Sequence, residues 1–177
     1  KESAKSHFLA MPMQKYDSVL ASCLHSAAKF YAKKDNHSEA LRYMSEAFEL
    51  KKEIFGLDHE STAASQHWLG AINLALEEDE LALMNFKGSL KIRVSLFGTE
   101  HKDVAATLYG LAEVHFKRDE LAECLECINE NLRISSRLGS EDSVLSRSKL
   151  MLGSCYQELG QYEQAKEHLS ESLRMLI

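Results

Sequence analysis

A single proline and eight glycines among 177 residues leave little room for loops or helix breaks. The chain also has no apolar run near the roughly 20 residues that a membrane span requires. Its first residues, Lys1-Glu2-Ser3-Ala4-Lys5-Ser6, contain no hydrophobic signal core. There is no excess of positive charge. The formal net charge is −6, which argues against nucleic acid, since nucleic acid selects basic surfaces. The four cysteines, Cys23, Cys124, Cys127 and Cys155, lack the spacing of a secreted disulfide scaffold. They read as reduced, small core residues of a cytoplasmic protein. The patterns HExxH, GxGxxG, GxxxxGK and GxSxG are all missing. The expectation is a chain that is not an enzyme and uses no cofactor or metal.

What is present is repetition. Phe55-Gly56-Leu57-Asp58-His59-Glu60 returns 42 residues on as Phe97-Gly98-Thr99-Glu100-His101-Lys102, and in weaker form as Leu138-Gly139-Ser140-Glu141-Asp142, 41 residues further. A fixed period of about 20–50 residues marks a stack of supersecondary units, each burying its apolar face on its neighbours. Hydrophobic residues make up 45% of the chain, enough for a continuous core and too many for a disordered one.

Between the repeated phrases the apolar spacing is helical. In the last unit Leu152, Tyr156 and Leu159 precede Gly160-Gln161, and Tyr162, Ala165, Leu169 and Leu173 follow. Three-to-four spacing on both sides of a breaker predicts two helices joined by a tight turn. The same plan holds around Lys34-Asp35-Asn36, Glu77-Glu78-Asp79 and Arg118-Asp119-Glu120. Small residues (Ala28, Gly70, Ala112, Gly153) recur in each first helix, where the helices of a pair must approach closely. Met11-Pro12-Met13 is expected to interrupt helix, because proline cannot continue the hydrogen-bond ladder.

The run Leu152-Gly153, Tyr156, Gly160, Tyr162, Ala165, Leu169 and Ser172-Leu173 resembles a tetratricopeptide repeat almost position for position. The resemblance extends from about Asp17 to Ile177. That family's usual period is about 34 residues. The longer period here, with its Phe-Gly-x-Asp/Glu-His loop, is similar to the kinesin light chain subclass. The implied fold is all-α: a right-handed superhelical solenoid of about four antiparallel helix–turn–helix units. The expected boundaries are 17–58, 59–100, 101–141 and 142–177. Residues 1–16 would form the end of a preceding helix or an N-terminal cap. The apolar finish Leu173-Arg174-Met175-Leu176-Ile177 predicts an array cut from a longer one.

The resemblance also implies a function. In such arrays the first helix of each pair lines a concave channel that holds a peptide or helical segment of another protein. Transferred by repeat position, the channel residues are Ser22, His25, Lys29 and Lys33 in the first unit and Ala64, His67, Ala71 and Leu74 in the second. The third contributes Tyr109, Glu113, Phe116 and Lys117, and the fourth Arg147, Leu150, Met151, Ser154 and Gln157. An apolar middle with cations at both ends suits a ligand with apolar and acidic side chains. Chaperone-tail clamps carry asparagines where this chain has Trp68 or Gly110 and Ala71 or Glu113. The Asn-Asn-Leu-Ala signature of kinesin light chains is replaced by His67-Trp68-Leu69-Gly70 and Tyr109-Gly110-Leu111-Ala112. Alternative readings are a structural, self-associating segment, or a regulatory repeat domain of a larger protein.

Other residues have plainer readings. Cys124-x-x-Cys127 places two thiols on one helix face, where His115 or Cys155 would have to complete a metal site; core packing is the simpler reading, with Cys124 at the small position of its repeat. His59 and His101, one period apart, are expected to pack over the hairpin while Asp58 or Glu100 favours the first turn of the next helix. Trp68, the only tryptophan, either fills space between first helices or anchors a ligand.

Overall fold

The computed structural model describes residues 2–176, with side chains from Asp17 onward. Eight helices are described, in the order α1 (Glu2–Ala32), α2 (His37–Phe55), α3 (Glu60–Ala75), α4 (Asp79–Phe97), α5 (Lys102–Lys117), α6 (Leu121–Arg137), α7 (Asp142–Glu158) and α8 (Tyr162–Arg174). They pair as antiparallel hairpins joined by short turns, so the fold is all-α and built from helix–turn–helix repeats. The chain divides into two compact units, Lys1–Ile92 and Arg93–Ile177.

One expectation is overturned at the N-terminus. α1 runs unbroken through Met11-Pro12-Met13. Proline removes a single backbone donor, and the hydrogen bonds on either side carry the helix past it. The assignment of residues 1–16 to a preceding helix or cap rests on side chains that lie outside the described residues.

Each hairpin turn uses the same backbone device. Asp35, Glu77, Asp119 and Gly160 occupy equivalent positions and all have left-handed φ, of 56°, 65°, 61° and 72°. The next amide then reaches back over the turn. Asn36 donates to the Tyr31 carbonyl at 3.0 Å, Glu78 to Asn73 at 2.9 Å, Glu120 to His115 at 2.9 Å and Gln161 to Tyr156 at 2.8 Å. These bonds satisfy carbonyls that the ending helix would leave bare. Only Gly160 adopts this conformation without steric cost.

The loops between hairpins end on a histidine cap. His59 Nδ1 accepts from the Ser61 amide at 3.1 Å, and His101 Nδ1 from the Asp103 amide at 3.2 Å. Each ring also stacks on the phenylalanine four residues before it, Phe55 at 4.5 Å and Phe97 at 4.3 Å. The imidazole packs on the phenylalanine of its loop where packing over the hairpin was expected, and the cap is the histidine itself, where Asp58 or Glu100 was expected to act. An Nδ1 acceptor does for the first free amides what a serine or aspartate oxygen usually does.

Within hairpins the small residues allow close approach. A Cβ added to Gly70 would lie 2.9 Å from the Phe86 ring, and one added to Gly153 would lie 2.7 Å from Leu169 Cγ. A second, polar brace spans three hairpins. Ser89 Oγ donates to the Ala63 carbonyl at 2.8 Å, Asn131 Nδ2 to Ala105 at 2.7 Å and Ser172 Oγ to Ser146 at 2.8 Å. All six residues occupy equivalent register, so a buried side chain of the second helix fastens the backbone of the first.

Successive hairpins are joined by buried hydroxyls. In the first unit Lys51 Nζ donates to Ser65 Oγ at 3.0 Å. One period on, in the second unit, Arg93 Nη1 donates to Thr107 Oγ1 at 2.6 Å and to the Asp103 carbonyl at 2.8 Å. Ser148 Oγ donates to Asn131 Oδ1 at 2.6 Å at the following junction. A hydroxyl in the first helix thus meets a polar group from the hairpin before it.

Candidate protein-binding surfaces

In the first unit, the turn between α1 and α2 and the middle of α3 enclose a small apolar pocket of about 230 Å³. Its walls are Ala32, Lys33, His37, Trp68, Ala71, Ile72 and Ala75. Trp68 packs against the core cluster of Ala28, Met44, Leu69 and Ile72, as the first of its two expected roles requires, and it also walls the pocket. Lys29 Nζ sits 5.1 Å from the center of the Trp68 ring, a cation–π contact that fixes the ammonium beside the pocket. The Lys33 side chain is exposed at its rim. His37 Nδ1 is buried and has no hydrogen-bond partner among the described residues. An apolar floor, the Lys33 ammonium and the Lys29 ammonium over Trp68 therefore lie near one another. The first turn of α2, capped by Asn36, begins there too.

Two histidines expected in the channel are committed elsewhere. His25 Nδ1 lies 3.0 Å from Ser65 Oγ and 3.1 Å from Lys51 Nζ, so its ring faces α2 and α3. Burial, followed by the charges of Lys51 and Lys29, lowers its pKa from 6.5 to about 4. An Nδ1 that accepts from Lys51 has no room for a second proton. Burial alone lowers Lys51 from 10.5 to about 8. The other, His67, packs edge-on against Phe86 at 5.3 Å, inside the α3–α4 hairpin. Leu74 is half-buried.

In the second unit Tyr109 is almost wholly buried, with 9% of its surface exposed, and shares a core cluster with Ala112, Ile128 and Leu152. Arg147 covers its ring, with the guanidinium carbon 4.4 Å from the center. Burial, reinforced by Glu113, pushes the Tyr109 phenol up to about 12. Burial likewise raises the Glu113 carboxyl, while Arg147 and the Tyr109 hydroxyl oppose the shift. Tyr109 and Arg147 also border a pocket of about 360 Å³ with Lys102, Asp103, Ala106, Ser140 and Val144. Phe116 packs against the same core cluster, which explains why it is only partly exposed. Lys117, Leu150 and Gln157 are exposed.

The cysteines divide into three environments. Cys124 and Cys155 are fully buried, Cys127 is half-buried against the core, and Cys23 is exposed on α1, so the core reading fails for Cys23. Cys23 sits on the face of α1 that carries Ser22 and Ser26, beyond the stripe marked by Ala21 and Ala28. Among the described residues, no three or more His, Cys, Asp or Glu side chains group in a way that could hold a metal ion. His115 instead pairs with Glu120 at 2.6 Å, and Cys124 faces Cys155. No described helix is long and apolar enough to cross a membrane.

Sequence reasoning missed Lys51, Arg93 and His37. For the first two a signal exists: they stand one period apart, each on the interior side of a second helix.

Comparison with known proteins agrees with this architecture. The profile of the tetratricopeptide repeat family matches residues 20–93 and 103–177. No curated protein sequence matches the chain. Among solved structures, BtubC (BKLC) from P. vanneervenii is similar at a TM-score of 0.83 and 18% identity, over 90% of this chain and 64% of that one. The chain thus spans under two thirds of BtubC. A putative kinesin light chain from Podosopora anserina, with nearly identical TPR-like repeats, is similar at 0.63 and 19% identity, over 90% and 96%. MamA is similar at 0.65 and 16% identity, over 93% and 83%. At these identities the likeness is one of fold. The profile covers most of the chain, and the repeated turns, glycines and braces explain why it does: this protein belongs to the tetratricopeptide repeat family.

Proposed function

We propose that the chain is a protein-interaction module that holds a peptide or helical segment of a partner on the faces of its first helices, as an adaptor or scaffold. Repeats of this family generally mediate protein–protein interaction. The observation that carries the finer reading is the Trp68 pocket, an apolar cavity lined by Lys33 and His37, with Lys29 held against the Trp68 ring. It suits a ligand that buries one apolar side chain and sets a carboxylate beside it. In the second unit, Glu113 and Arg147, with exposed Leu150 and Gln157 on α7, supply further contacts. The repeat boundaries on this reading are those expected from the sequence, and the chain acts in the cytoplasm by binding, without catalysis.

Trp68 is the only tryptophan, so its emission reports on the pocket directly. Short peptides with leucine or phenylalanine next to aspartate or glutamate are expected to shift that emission saturably. The Ala71→Arg variant, which fills the cavity from the half-buried pocket wall, is expected to abolish the shift while circular dichroism stays unchanged. A shift of equal size in Ala71→Arg, or none with any such peptide, would remove the pocket from the reading.

A second reading, self-association, rests on a different surface. Tyr162 and Leu173 are 70% and 61% exposed and flank an open hollow on α8 with Ala165 and Leu169. Concentration-dependent mass in solution, lost in Leu173→Lys, is the result expected if copies stack there.

A further inference from the structure

One junction between successive hairpins differs chemically from its equivalent. Where α2 meets α3, Ala40 and Ile72 share a core cluster. The position of Ala40 is alanine again at Ala82 and Ala165, but cysteine at Cys124. Its counterpart across the α6–α7 junction, in the place of Ile72, is Cys155. Both side chains are 0% exposed, and their Sγ atoms lie 2.9 Å apart. A disulfide is about 2.05 Å long, so closing the pair needs a movement of less than about 1 Å.

We propose that Cys124 and Cys155 form a redox modification site, at which a peroxide-class oxidant converts the buried thiol pair into a disulfide that ties α6 to α7. The geometry selects this pair over the CxxC spacing that the sequence displays. Cys127, three residues from Cys124 on the same helix, lies at the edge of the cluster.

The chemistry balances with one peroxide per pair. The two thiols share one contact in which either can donate, so either can be the first to react. One sulfur attacks a peroxide oxygen; the O–O bond breaks, the leaving oxygen departs as water, and a sulfenic acid remains. The other sulfur then attacks the oxidized one, the S–O bond breaks and a second water leaves. Two thiols lose two electrons to the peroxide, and their two protons leave in the two waters. A small neutral oxidant suits a site without solvent exposure, since it needs only a brief local opening of the α6–α7 contact. The product closes a loop between residues 31 apart in sequence and restricts the unfolded chain.

The test is graded hydrogen peroxide on the folded chain, followed by alkylation of free thiols, intact mass and non-reducing peptide mapping. The expected result is a loss of two hydrogens, a Cys124–Cys155 cross-linked peptide, and a rise in Tm of several degrees that dithiothreitol reverses. Cys124→Ala restores the residue used by the other hairpins, so it should fold and lose both the cross-link and the Tm shift. Cys23→Ser and Cys127→Ser should keep both. Overoxidation of either thiol without a cross-link, a cross-link through Cys127 or Cys23, or no reaction short of unfolding would each overturn the proposal.

Discussion

The two units solve the same junction with different cations, and the difference sets how each responds to pH. In the first unit Lys51 donates to Ser65 and to His25. In the second, Arg93 stands one period later and donates to Thr107 and to the Asp103 carbonyl. The guanidinium cannot lose its proton, and it donates to a hydroxyl and a carbonyl oxygen. The ammonium is a point charge with no carboxylate partner among the described residues, and one of its acceptors is itself a base. Equivalent register therefore does not mean equivalent physics: one junction is held by a cation that keeps its proton, and the other contains two groups whose charged forms burial disfavors.

The sharpest break in symmetry between the units is expected at their close-approach glycines. Gly153→Leu in the second unit should destabilize by about 3 kcal/mol or more, because the side chain must enter the space of Leu169. Alanine separates the units more finely. Gly70→Ala places a methyl against the Phe86 ring, which is 1% exposed and has nowhere to go, and should cost about 1–3 kcal/mol. Gly153→Ala meets the flexible, half-buried Leu169 and gains helix propensity of about 1 kcal/mol, so it should be close to neutral. Chemical denaturation of the three variants checks the order.

Replacing the cations comes next in size. Arg93→Met should cost about 1–3 kcal/mol, since it strips a buried hydroxyl and a carbonyl of their donor. Lys51→Met should stay within about 1 kcal/mol of the parent, because His25 and Ser65 remain 3.0 Å apart and satisfy each other. Equal losses in the two variants would show that the junctions are energetically alike.

The pH response follows from the same contrast. The His25 pKa is lowered in the fold, so the unfolded chain takes up the proton first. Stability is then fully present above about 6.5 and lost as pH falls toward about 4. With discounting for screening at this half-exposed ring, the loss should be about 1 kcal/mol. Lys51 has the same sign in another window: stability should rise as pH goes from about 8 to 10.5, where the folded chain sheds its proton before the unfolded one does. Unfolding in denaturant across pH, with Lys51→Met as the control, isolates both windows. The alkaline rise should vanish in that variant.

The smallest expected effect lies in the turns. Glu77 holds φ of 65° at the position where the last hairpin has Gly160. Glu77→Gly should stabilize by about 0.5–1 kcal/mol by removing the steric cost of a Cβ there. Gly160→Ala should do the reverse, and Tm measurements on the pair will show whether the turns are interchangeable.

Much of the fold was legible in the chain because it is written in local spacing. The period is visible in Phe55–His59 and Phe97–His101, the hairpins in three-to-four apolar spacing, and the close approaches in Gly70 and Gly153. Each of these is a demand made by a helix on its own residues or on the one beside it. The binding surface was less legible. Lys29 lies over Trp68, and Lys33 and Trp68 line one pocket, whereas His25 and Tyr109 have internal partners. Helix position specifies the face a residue stands on, and only packing decides whether that face is wet.

From the sequence alone came the family, the four helix pairs and the positions where the helices must touch, because those follow from periodicity and side-chain size. Tertiary structure alone decided the meeting of Lys51 with Ser65, Asn131 with Ala105 and Cys124 with Cys155, since the partners lie 14, 26 and 31 residues apart on different helices. Hydrogen bonds and sulfur contacts depend on ångström distances, which folding sets and residue order does not record.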